Sequence, residues 1–358
     1  MQSPARRAHR VLVVVFVVVV FLVVVLVASG VPASAGNADA TVAIGAGLRG
    51  PSGMRATVYA KGLRHASALT TDAAGRVWVA TAAARDAGKD AIYVVTDAGA
   101  RPQQVVTDVH TPLGLVWVDD TLYVSQADGV LALRGFDGTA FASRATVVSF
   151  PEGTGELNGI TAGRDGRLYV GISAPCDDCR PTDTYSASVV SFLPDGSDVR
   201  VHASDIRAPI GLAFLPGTDD LFVTMNQRDD LGAKTPGDWL AVVRAGESWG
   251  FPAYYGQSSA KYSTMPRPVA ELDRHAAVSG VAIVTGQLGS SVGTGAVVAE
   301  WMTGKVELVR LTAIDDGYRG TTVSFLRGFE NPVPVMLDVH GALFVGDWTS
   351  GKLYRITA

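Results

Sequence analysis

Cysteine is nearly absent from this chain. Cys176 and Cys179, in Pro175-Cys176-Asp177-Asp178-Cys179, are the only 2 among 358 residues. Two thiolates are too few for a structural zinc site by themselves. A redox-active pair usually sits at a helix start in a thioredoxin-like unit, and no such unit is evident. In an exported protein such a pair most often forms a disulfide, which here would pin one loop. Positive charge is scarce too. The chain has 30 basic and 34 acidic residues, a net of −4. Nothing basic is clustered, which argues against nucleic acid as a partner. Only 18% of residues are charged, while Val, Ala and Gly abound, which fits a compact all-β body with many turns.

One long hydrophobic run is present. Arg6, Arg7 and Arg10 precede an unbroken apolar stretch from Val11 to Ala28, and Ala33-Ser34-Ala35 then offers small residues at the spacing a signal peptidase needs. Residues 1–35 are therefore expected to be an export signal. Their removal takes three arginines and no acid, leaving 27 basic against 34 acidic residues, a net of −7. The alternative is a retained anchor over residues 11–28, since the run is nearly long enough to span a bilayer; membrane contact is expected only in that case. The two adjacent arginines are a weak twin-arginine hint beside an ordinary positive leader.

Behind the leader a strand repeats. Val77-Trp78-Val79, Leu122-Tyr123-Val124, Leu168-Tyr169-Val170, Leu221-Phe222-Val223, Ala296-Val297-Val298 and Leu343-Phe344-Val345 are short and apolar, and most follow a tight turn such as Asp165-Gly166-Arg167. Their central positions lie 45, 46, 53, 75 and 47 residues apart. A period of that size carried by strands and turns predicts a β-propeller. The expected fold is all-β, a six-bladed β-propeller with four-stranded antiparallel blades over residues 54–358, after a flexible segment at 36–53. Each repeat strand is preceded by another apolar run holding a small residue, as in Pro112-Leu113-Gly114-Leu115 and Pro209-Ile210-Gly211-Leu212. These read as the innermost strands, where backbones crowd the axis. The last blade lacks a fourth strand, and Arg55–Ala60 alternates without a partner, so that N-terminal strand is expected to close the ring.

In such a blade the lead-in to the inner strand and the loop after the second strand share one face. Loops 82–90, 173–185 and 224–238 are long, and the excursion 246–275 carries Trp249, Phe251, Tyr254 and Tyr255. Long loops on one face of a rigid scaffold are where binding resides. Aligning the inner strands puts Arg64, His65, His110, Glu156, Asn158, Arg207, His275, Glu330 and Asn331 at the channel mouth. Histidine transfers protons near neutral pH and arginine holds anions by a two-pronged hydrogen bond. Any one of these alone reads first as a loop residue capping strand-end carbonyls; taken as a set they read equally as a site.

The stretch Asp205-Ile206-Arg207-Ala208-Pro209-Ile210-Gly211-Leu212-Ala213-Phe214 resembles the inner strand of soluble quinoprotein sugar dehydrogenases, the glucose/sorbosone dehydrogenase family. Pro236-Gly237-Asp238-Trp239-Leu240 followed by Trp249-Gly250-Phe251-Pro252, the run Val189–Gly196, and Gly341–Trp348 are similar as well. The resemblance implies pyrroloquinoline quinone (PQQ) and calcium at the channel mouth, and oxidation of a small-molecule sugar or aldehyde. It implies quinone carboxylates held by arginine, with Arg207 matching directly and Arg64, His65, Asn158 and Asn331 as further cofactor contacts. The family's catalytic histidine is missing from Gly155-Glu156-Leu157-Asn158, an asparagine is replaced by Ala208, and an arginine pair by Asn331–Val333. His110, Glu156 or His275 is then the substitute base. No metal ligands are assigned. Asp229 and Asp230 read either as hard-cation ligands or as simply solvated. Two rival readings follow from the altered set. One is a non-catalytic propeller binding carbohydrate or protein through the aromatic loop 249–255. The other is a calcium-dependent, lactonase-like hydrolase with Glu156, Asn158 or Glu330 around one metal.

Overall fold

A computed structural model describes residues 41–358. The expected leader, its cleavage site and the alternative anchor lie outside the described residues. Among those described, no helix is long and apolar enough to cross a membrane.

The chain forms six antiparallel sheets, each with four strands from the repeat. The inner strands are Ala66–Thr71, Gly114–Val118, Leu157–Ala162, Pro209–Phe214, Val278–Thr285 and Pro332–Leu337. The repeat strands lie second in each blade and are almost wholly buried. Apolar residues on both faces of these strands fill separate clusters between adjacent blades. In one, Trp78 meets Trp117, Phe136 and Phe141 at centroid distances of 5.5, 4.8 and 5.5 Å. The ring closes as expected: Arg55–Lys61 pairs antiparallel with Lys352–Thr357, with Arg355 opposite Thr57.

The expected small residues sit where the inner strands nearly touch. A Cβ on Gly159 would lie 2.7 Å from the Ile210 carbonyl oxygen. One on Gly280 would lie 2.7 Å from the Val335 nitrogen and 2.8 Å from the Val333 oxygen. Gly114 and Gly211 are equally hemmed in by the next blade's backbone. Side-chain hydroxyls then tie the inner strands together. Ser67 donates to the Pro112 carbonyl at 2.6 Å, Thr224 to Ser279 at 2.6 Å, and Ser279 to Val333 at 3.0 Å.

Two expectations need correction. Within the segment expected to be flexible, Val42–Gly45 and Leu48–Gly50 form a hairpin that extends the fifth sheet by pairing Arg49 with Arg327. Ile44 and Leu48 are buried against Phe325, Leu326 and Phe329. The aromatic excursion also lies elsewhere than expected. It joins the third strand of blade 4, Gly237–Val243, to the fourth, Ala270–Arg274, and so leaves from the face opposite the mouth. It climbs the outer edge, where Arg228 reaches the Pro252 carbonyl at 3.4 Å and lies over the Tyr255 ring. Trp249, Phe251 and Tyr254 are buried, Trp249 and Tyr254 packed around Trp239, and display no binding surface.

The axial crowding sets a test. Gly280→Ala forces the blade 6 backbone outward, and overpacking of this kind costs about 1–3 kcal/mol. Thermal or denaturant unfolding should show that loss; an unchanged midpoint would mean the inner strands have slack.

Candidate functional site

The second strands deliver matching backbone positions to the mouth. The residue at or just past the end of each donates to the carbonyl of one lead-in residue: Ala82 to His65 at 2.8 Å, Ala127 to His110 at 2.9 Å, and Ser173 to Glu156 at 2.9 Å. Asn226 donates to Ala208 at 3.1 Å, Trp301 to Ala277 at 3.3 Å, and Trp348 to Asn331 at 2.9 Å. His65, His110, Glu156 and Asn331 therefore share one register, one per blade. Arg64 and Arg207 sit one residue earlier, His275 two earlier, and Asn158 two later. Several lead-in residues hold the left-handed conformation without being glycine: His65 at φ 66°, Thr111 at 49° and His275 at 51°. Backbone strain of this kind is tolerated where surrounding contacts over-determine it.

The side chains of these residues are engaged differently. His110 Nδ1 lies 2.5 Å from Asp86 and His275 Nδ1 2.7 Å from Asp229. Both carboxylates raise the histidine pKa by hydrogen bonding. The Nε2 of His275 lies 3.2 Å from the Gly232 carbonyl, so both its nitrogens are occupied. His65 packs on Trp348 with ring centroids 4.3 Å apart. Asn158 donates to Ser173 at 2.9 Å and to the Glu156 carbonyl at 3.2 Å. Asn331 donates to the Trp301 carbonyl at 2.9 Å and accepts from Thr349 at 2.6 Å. Both asparagines thus hold the mouth together. Arg64 and Glu330 are exposed. Arg207 pairs with Asp177, while its Nε is buried with no partner.

Glu156 differs from these. Its side chain is exposed at the mouth, and desolvation by the protein nearby raises its pKa. Its carboxylate has no hydrogen-bond partner among the described residues.

A cavity of about 480 Å³ opens between blades 4 and 5, lined by Arg207, Asn226, Gln227, Asp229, Asp238, His275, Ala277, Trp301 and Met302. Ala277, which holds the shared register position of blade 5, is part of its wall. Sequence reasoning reached Arg207 and His275 but missed Asn226, Gln227, Asp238 and Trp301 as site residues. A signal existed for Trp301: Glu300-Trp301-Met302-Thr303-Gly304-Lys305 repeats as Asp347-Trp348-Thr349-Ser350-Gly351-Lys352. Gln227 is 93% buried, and its side-chain amide has no hydrogen-bond partner among the described residues. Asn226 Oδ1 is buried without a donor. Asp238 accepts from the backbone of Gln227 at 2.8 Å and Val278 at 3.3 Å, and burial pushes its pKa up to about 6.

The cation reading of Asp229 and Asp230 is not supported, because each already faces a cationic partner, His275 and Arg228. Among the described residues no group of three or more His, Cys, Asp or Glu is placed to hold a metal ion. Cys176 and Cys179 are joined as a disulfide, as expected.

No family model matches the sequence, and no curated protein matches it. Solved structures do share the fold. The chain is similar to the PQQ domain of pyranose dehydrogenase from Coprinopsis cinerea, with 15% identity, 87% of this chain and 97% of that one covered, and a TM-score of 0.71. It is similar to PQQ-bound aldose sugar dehydrogenase from Streptomyces coelicolor, at 19% identity, 86% and 99% coverage and a TM-score of 0.67. The soluble aldose sugar dehydrogenase of Escherichia coli aligns at 18% identity, 85% and 99% coverage and a TM-score of 0.60. At such identities the likeness establishes a common six-bladed propeller fold.

Glu156 supplies a pH test. Its pKa is higher folded than unfolded, so its contribution to stability is complete below the unfolded value and lost as pH rises through the folded one. Glu156→Gln removes that loss. The variant should melt above wild type at pH 8, with the gap closing toward pH 4. A gap that is constant with pH would mean the carboxyl is freely solvated.

Proposed function

We propose that this protein is an exported, sugar-oxidising propeller that takes a neutral sugar or aldehyde at its mouth. The observation that carries this reading is the make-up of the cavity between blades 4 and 5. Trp301 offers an aromatic wall, and beside Asn226 and Arg207 the Gln227 side-chain amide lines the cavity with no hydrogen-bond partner among the described residues. A sugar presents C–H faces to an aromatic ring and hydroxyls that both donate and accept. About 480 Å³ is room for a small ligand. The fold shared with sugar dehydrogenases supports oxidation, and the leader with its Ala-Ser-Ala site supports export.

The chain's residues divide the work. Gln227 and Asn226 orient hydroxyls, and Trp301 excludes water from one side. Glu156 takes the proton of the hydroxyl being oxidised, while the hydride passes to a diffusible quinone, the two-electron oxidant, which is reduced to the hydroquinone level. An unpaired carboxylate with a raised pKa suits that step. Glu156 also neighbours the cavity's arginine: its carbonyl receives Ser173, and the Arg207 carbonyl receives Ala174. His110, held through Nδ1 by Asp86, is the second candidate base; His275, with both nitrogens engaged, is not.

PQQ, present in two of the neighbours, is a tricarboxylate. Here Arg207 faces Asp177, Arg228 faces Asp178 and Asp230, and His110 and His275 face Asp86 and Asp229. A tricarboxylate does not fit a mouth whose cations are already neutralised. That neutralisation favours the second reading, a propeller that binds a carbohydrate without oxidising it.

A dye-linked oxidation assay over a sugar panel, with and without PQQ and calcium, separates the two. Oxidation of at least one sugar is expected. Glu156→Gln should lower kcat by about 10²–10⁴-fold with little change in KM, and Trp301→Ala should raise KM. Sugar bound in calorimetry but never oxidised would leave the binding reading in its place.

A further inference from the structure

We propose that Asp177 and Asp178, the two residues between the cysteines, are specificity-determining residues that act as an internal carboxylate ligand for Arg207 and Arg228 and so bar polycarboxylates from the mouth. The disulfide Cys176–Cys179 closes a ring around both aspartates. From it Asp177 pairs with Arg207 and accepts from the Asp229 backbone at 3.3 Å, and Asp178 reaches Arg228 at 3.0 Å. The two arginines come from blade 4's inner-strand lead-in and the loop after its second strand, so one short loop of blade 3 spans both.

The fit is that of a stand-in and not of a built-in structural ion pair. Asp177 engages Arg207 only through Nη2 and leaves Nε buried with no partner. A carboxylate bound side-on would satisfy both nitrogens, the geometry guanidinium groups favour. The loop is also weakly held. No residue from 174 to 185 is fully buried. Besides the aspartates, its tie to blade 4 is the Ala174 nitrogen on the Arg207 carbonyl at 2.6 Å. Partly exposed ion pairs contribute little each, so a ligand of sufficient charge can displace the loop. The charge count agrees. Arg207, Arg228 and protonated His275 stand against Asp177, Asp178, Asp229 and Asp230, a net of −1. Neutralising the two loop aspartates turns that into +1.

The inference deepens the sugar-oxidation reading, on which its relevance rests, by fixing the ligand charge the mouth tolerates: neutral sugars enter, and polycarboxylates compete with the loop. Calorimetric titration of wild type and Asp177→Asn/Asp178→Asn with benzene-1,3,5-tricarboxylate and with PQQ tests it. The double variant should bind both about tenfold or more tightly than wild type, and adding Arg207→Ala should abolish the gain. A gain below roughly threefold, or one that survives Arg207→Ala, overturns the proposal. Asp177→Ser/Asp178→Ser makes the same charge change and covers misfolding of the asparagine pair. A gain in tricarboxylate affinity in a protein that oxidises no sugar upholds this inference and removes the functional reading. Sugar oxidation without that gain does the reverse.

Discussion

Close approach of the inner strands around the axis is the constraint on which the rest of this molecule depends. Gly114, Gly159, Gly211 and Gly280 let each blade's backbone come within contact of the next where any side chain would collide. Ser67, Thr224 and Ser279 then hydrogen-bond across the gaps so formed. With the radius fixed at the axis, the second strands are carried into tightly packed positions and the apolar clusters form between blades instead of at the centre. The lead-ins are fixed by the same contacts, because the second strand binds each of them through one backbone hydrogen bond. The mouth is therefore a consequence of the axis.

Buried carboxylates make that consequence rigid. Asp90 accepts from Ala83 at 3.0 Å and from Thr111, on the next blade, at 3.0 Å. Asp238 does the same for Gln227 and Val278. Asp347 receives Glu330 at 2.7 Å and Ser350 at 3.0 Å. Each spends its oxygens on backbone amides that have no ladder partner, which offsets the cost of burying a carboxylate. The recurrence in several blades identifies this as a structural device. Asp238 is thus better read as a clamp at the cavity edge than as a proton acceptor, despite its raised pKa. Glu156, by contrast, makes no such bond among the described residues, and desolvation raises its pKa.

What the sequence made legible was whatever is carried by neighbours along the chain. The strand period, the small residue of each inner strand and the lone alternating run at Arg55–Ala60 are local patterns, and all three appear in the fold. The hairpin at 42–50 escaped because its two strands are only four and three residues long and bury only a few side chains. The excursion after Val243 escaped for a different reason. Its aromatic residues look like a binding surface in sequence, but Trp249 and Tyr254 fill space around Trp239. Least legible were the pairings at the mouth. His110 with Asp86, His275 with Asp229 and Arg207 with Asp177 join residues 24, 46 and 30 positions apart. Register put one member of each pair at the mouth; only folding put the neutralising partner beside it.

The cavity follows from the same register. Four blades place His65, His110, Glu156 and Asn331 at one level of the mouth, and two adjacent blades place Ala208 and Ala277 there instead. At Ala277 the small side chain leaves room at that level of the rim, and the aromatic Trp301, beginning the tight turn after its strand, forms one wall of the cavity there. A mouth whose arginines already face carboxylates offers little unneutralised positive charge to an anion.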